Sequence, residues 1–105
     1  QAVYYQNVAL GSNFTVNLRG NASTALNAAL NTGESATVAL ITRQNNTTFY
    51  NNVIQVDGTT VTAIWQGGTA PTTGNASSTD VYTYTALKTA ASTYVVLAAQ
   101  TQFKA

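Results

Sequence analysis

Three carboxylates in this chain are candidates for acid–base chemistry: Glu34, Asp57 and Asp80. The chain has no histidine and no cysteine. A carboxylate reaction or a metal site would therefore have to be built from these three. A glycosidase-like reaction needs two of them to converge on either side of a sugar, and a calcium site needs several spaced within one loop. They are instead scattered. Asp57 opens an Asp-Gly turn, Glu34 lies in the turn-like NTGES, and Asp80 precedes a strand. The spacing supports no catalytic residue, no metal site and no cofactor, and the chain reads as non-enzymatic.

The aromatic residues suggest a different chemistry. Trp65, Tyr82 and Tyr84 are candidates for a ligand-binding platform, because flat rings pack on the apolar faces of sugars. The competing account makes Trp65 a core anchor, since alternation puts it on one face with Val61 and Ala63. In that account Gly67-Gly68 lets the chain turn sharply beside a bulky ring. Asn-x-Ser/Thr triplets begin at Asn13, Asn21, Asn45, Asn46 and Asn75. They would be glycan acceptors on a secreted eukaryotic or archaeal chain, but a chain this rich in Asn, Ser and Thr produces such triplets by composition.

These residues must be positioned by strands. NFTVNLR alternates Phe14, Val16 and Leu18 against Thr15, Asn17 and Arg19, the period of a half-buried strand. SATVALIT is apolar on both faces and belongs in a central strand or at an interface. VIQVDGTTVTAIW centres on Asp57-Gly58, a two-residue reversal of the type I′ class. It sets Val56 opposite Thr59 and Ile54 opposite Val61, and a continued ladder would bring Tyr50 opposite Trp65. The glycines and proline of WQGGTAPTTGNASSTD end that strand and leave a surface loop from Gly67 to Thr79. VYTYTALK and STYVVLAAQTQF follow as an antiparallel pair joined near Thr89–Ser92, and VYYQNVAL at the start is a further strand.

One segment has a helical period. STALNAALN places Leu26 and Leu30 four apart, with Ser23 as a candidate N-cap, which predicts one or two helical turns over Ser23–Asn31. Seven or eight short strands with turn signals between them predict an all-β fold, an antiparallel β-sandwich with jelly-roll connections as one form of it. At 105 residues the chain is expected to be a single domain, residues 1–105.

Composition narrows the partners. Seven residues are charged and the net charge is +1, so the basic footprint expected of a nucleic-acid binder is missing. No apolar run approaches the ~20 residues of a membrane helix, and QAVYYQNVAL has no basic n-region of a signal peptide. The polar residues are mostly Thr, Ser, Asn and Gln, and the apolar fraction is 45%. A neutral surface of hydroxyls and amides suits a protein packed among copies of itself or exposed outside a cell.

The runs TGESATVAL, VIQVDGTTVTAIWQGGTAPTTGNASSTDVYTYTALKT and STYVVLAAQTQF, from roughly Phe14 to Phe103, resemble a module in virion structural proteins of tailed bacteriophages. The likeness is to cyanophages and other marine phages, in tail-fibre or appendage proteins. Its most specific part is V-D-G followed by W-Q-G-G-T-A-P, G-N and D-x-Y-x-Y-T. The resemblance implies a virion location and a mechanical, adhesive role as a tail-fibre, appendage or capsid-decorating subunit. Its implied partners are copies of itself (a trimer in a fibre), other virion proteins and a host-surface glycan. Two other functions compete: a carbohydrate-binding module using Trp65, Tyr82 and Tyr84, and a cellular surface-filament subunit.

Overall fold

The computed structural model describes residues 2–5, 11–20, 24–46 and 48–103. Eight strands and one helical turn are formed among them: β1 (Ala2–Tyr5), β2 (Phe14–Leu18), α1 (Leu26–Ala29), β3 (Ser35–Arg43), β4 (Asn51–Val56), β5 (Thr59–Val61), β6 (Ile64–Trp65), β7 (Thr79–Ala90) and β8 (Thr93–Phe103). They build two sheets, one ordered β1-β3-β7-β8-β6 and the other β2-β4-β5. The fold is an all-β sandwich, as the alternation predicts.

The sheets are mixed, however, not purely antiparallel. β1 runs parallel to β3, β2 to β4 and β6 to β8. The cause lies in the order in which the chain visits the sheets. β1 to β4 alternate between the large sheet and the small one, so consecutive strands lie in opposite sheets instead of pairing. Each crossing reverses the chain and two crossings restore its direction, so strands next but one in sequence become parallel neighbours. A jelly roll, built from antiparallel pairs, does not have this connectivity.

The Asp-Gly hairpin has the expected register, with Ile54 opposite Val61 and Val56 opposite Thr59. Asp57 and Gly58 take φ of 50° and 81°, as this turn requires. The ladder stops at Val61. Thr62 and Ala63 then carry the chain across to the large sheet, where Ile64 and Trp65 pair with Leu97 and Ala98. The expected Tyr50–Trp65 pair is therefore not formed, because Trp65 pairs with Ala98 in the large sheet while Tyr50 precedes β4 of the small one.

The core lies between the sheets. Leu18, Ile54 and Val56 of the small sheet meet Tyr82, Tyr84, Ala86, Val96 and Ala98 of the large one, and Leu26 of α1 closes one end. α1 is a single turn with Ala25 at its N-cap position and no cap from that side chain. The expected cap, Ser23, lies outside the described residues, as do 6–10 of the first predicted strand. The β7–β8 hairpin reverses at Ala91-Ser92, with Ser92 at φ 52°, inside the span predicted for it.

Candidate functional site

The clearest concavity lies where the chain changes sheets. Because β5 ends after three residues, the first half of β4 has no neighbour on that side. A cleft of about 630 Å³ opens between it and the edge of the large sheet, lined by Tyr50, Asn52, Val61, Ala63, Trp65 and Pro71 among others. This volume is within the range of small-ligand sites, roughly 300–1,000 Å³. Among the described residues no charged one lines it. Trp65 is half-buried and packs on the core from the sheet edge, so it serves both core and cleft. Below it a 3-10 turn, Gln66–Gly68, puts Gly67 and Gly68 at φ of 75° and 80°. A Cβ at either glycine would meet nothing within 4 Å. Backbone conformation, not crowding by the indole, is therefore what calls for glycine there.

The predicted aromatic platform is not assembled. Tyr82 and Tyr84 are each 0% exposed, on the inward face of β7, so neither ring can stack on an external sugar. Both hydroxyls are held in a polar knot on Asn51. The Tyr84 hydroxyl donates to Asn51 Oδ1 at 2.8 Å. The Tyr82 oxygen accepts from Asn51 N at 3.3 Å and Gln100 Nε2 at 2.8 Å. Asn51 Nδ2 donates onward to the carbonyls of Phe14 and Val53, at 2.9 and 2.8 Å. The two rings stack at 6.3 Å with planes 4° apart, and Phe14 meets Tyr82 edge-on at 5.5 Å. Burial pushes both phenols above the ordinary tyrosine value of 10.0. For Tyr82 the hydrogen bonds from Asn51 and Gln100 oppose that push, and the charge of Asp80 adds to it.

Each carboxylate is committed to structure. Asp57 reaches beyond its own turn and accepts from the N–H groups of Leu26 and Asn27 at 2.6 and 3.0 Å. Glu34 accepts from Asn31 N at 2.6 Å, closing the NTGES turn. Asp80 is 0% exposed and stands inside β7. Its Oδ2 accepts from Gln44 Nε2 at 2.9 Å and Asn75 N at 3.1 Å, while Oδ1 is buried without a protein partner. Among the described residues no group of three or more acids forms a metal cluster, and no helix is long and apolar enough to cross a membrane.

Sequence reasoning missed Tyr50, Asn52 and Pro71 as cleft residues, because the cleft arises from the sheet change after Val61. It also missed Asn51 as the polar centre of the core. The one available signal was the Asn-Asn pair interrupting an otherwise apolar strand. Comparison with protein-family models, with curated proteins and with solved structures returns no match for this chain.

Proposed function

We propose that this chain is a non-enzymatic structural subunit of a tailed-phage virion, in a fibre, appendage or capsid-decorating position. Its work is to pack against copies of itself and other virion proteins and to present loops outward, where a host-surface glycan is one contact. The supporting observation is the use made of the carboxylates. Asp57, Glu34 and Asp80 each hold backbone or amide N–H groups of the fold through at least one carboxylate oxygen, and no two of them converge on a common surface. The virion context rests on the resemblance carried by W-Q-G-G-T-A-P, which forms the rim of the cleft, and by D-x-Y-x-Y-T, which forms the central strand β7. Antibody raised against the chain should label purified phage particles. Label confined to cell envelopes would instead support a cellular surface-filament subunit.

A second reading is favoured by the cleft. An uncharged pocket with Trp65, Tyr50 and Pro71 as apolar walls and Asn52 at its rim has the chemistry to hold a neutral saccharide. Here Trp65 acts without Tyr82 and Tyr84. A glycan array probed with the chain tests it: binding lost on Trp65→Ala with the fold retained supports the saccharide site. Global unfolding on that change supports a purely structural indole.

A further inference from the structure

We infer that the outer face of the five-stranded sheet is the surface on which a second copy of this chain docks, sheet face against sheet face. This deepens the subunit reading above and rests on it only for the partner being another copy.

The two outer faces of the sandwich differ in kind. On the small sheet the outward register positions hold Thr15, Asn17, Val53, Gln55 and Thr60, four polar residues to one apolar. On the large sheet they hold Ile41, Val81, Val95, Leu97, Ala99 and Ile64, interspersed with threonines. Leu97 and Ile64 stand side by side and are 48% and 58% exposed. On the three long strands Arg43, at the last position of β3, is the only charged residue facing outward among the described residues. No carboxylate faces that way, because Asp80 points inward and Glu34 precedes the strand.

Charge and size both fit a second copy. A face without acids, with one base at its margin, can be stacked on itself by a two-fold axis without burying an unpaired charge in the middle. The net charge of +1 adds little repulsion between copies. The five strands of this sheet, 4, 9, 12, 11 and 2 residues long, give a face of about 600 Å² in projection at ~3.4 Å per residue and ~4.8 Å per strand. With side-chain relief this approaches the ~800 Å² per partner of a stable interface. Edge-to-edge pairing is the competing geometry: the edge strands β1, β2, β5 and β6 are only four, five, three and two residues long and short edges pair weakly, but β6 covers β8 only at Leu97 and Ala98.

Sedimentation velocity of the 105-residue chain between about 1 and about 200 μM tests this, with a dissociation constant in the micromolar range as the expected result. Leu97→Lys and Thr83→Lys each put a charge on the face and should raise that constant at least about tenfold with the melting temperature nearly unchanged. Gln55→Lys, the same charge on the other sheet, should leave it unaltered. A monomer throughout, or an oligomer indifferent to both face substitutions, would overturn the inference. Particle labelling is independent of these outcomes, so a monomeric chain found on virions removes this interface and leaves the subunit reading standing.

Discussion

Asp57 and Lys88 hold the two ends of a single helical turn. The Asp57 carboxylate receives the first N–H groups of α1, from Leu26 and Asn27. The Lys88 ammonium donates to the carbonyls of Asn27 and Leu30 at 2.8 and 2.9 Å. An isolated four-residue helix has no stability of its own. Here a negative group at the N-terminus and a positive one at the C-terminus complement its dipole, and they tie the small sheet and the large one to the same element.

Removing either charge should therefore loosen one end of the sandwich. Asp57→Ala loses two hydrogen bonds and replaces a residue type that tolerates positive φ by one that tolerates it less well, at a cost of about 2 kcal/mol. Asp57→Asn tolerates that φ and keeps one acceptor, and should cost about 1 kcal/mol. Lys88→Met strands two carbonyls and should cost about 1–3 kcal/mol. Because both side chains act on one turn, the double variant should fall short of the sum by at least about 0.5 kcal/mol. Urea denaturation of the four variants gives all of these values.

The Asn51 knot makes a separate prediction. Tyr84→Phe removes the hydroxyl that donates to Asn51 Oδ1 in a fully buried setting, and should cost about 1–3 kcal/mol. Asn51→Ala should cost more, since it also strands the carbonyls of Phe14 and Val53. The same chemical denaturation series, read against Gln55→Ala on the outer face, separates this polar core from the surface.

Local signals were read well and non-local ones were not. Asp57-Gly58 sets the register of its hairpin through backbone sterics alone, so Ile54 opposite Val61 followed from a few residues of sequence. The arches between β1 and β4 depend on which sheet each strand joins, and period-two alternation is the same in either sheet. Tyr82 and Tyr84 were misplaced for a related reason. In DVYTYTALK apolar residues occur on both parities, Val81 and Leu87 on one and the tyrosines with Ala86 on the other, so the pattern does not choose the inward face. Asp57 as a helix cap spans 31 residues of chain to Leu26, beyond any local motif.

Gly74 is the position where a single methyl should do most harm. The residue is buried, and a Cβ there would collide with Gln44 Nε2 and the Phe49 carbonyl. Gln44 uses its amide to pair with both N–H and carbonyl of Phe49 and to donate to Asp80. Gly74→Ala should cost about 1–3 kcal/mol by overpacking. Displacement of Gln44 should show as faster hydrogen exchange at the Phe49 and Asn75 amides, while β4–β5 amides keep their protection.

Alkali should destabilise this protein through its buried tyrosines. Tyr82, Tyr84 and Tyr94 all have phenols shifted upward from 10.0, burial being the largest cause in each, and the charge of Asp57 adding to it at Tyr94. A phenol whose folded value is raised stays neutral in the native state while its unfolded counterpart ionises. The stability it contributes is complete below about pH 10 and is lost as pH climbs through the folded value. Urea midpoints should hold up to about pH 9 and fall steeply above about pH 10. Absorbance at the tyrosinate band should show Tyr82 and Tyr84 ionising together with unfolding. Tyr84→Phe should make the decline above pH 10 shallower, though the variant starts from lower stability. A profile in which all six tyrosines titrate as free phenols while the fold persists would contradict the buried placement of Tyr82 and Tyr84.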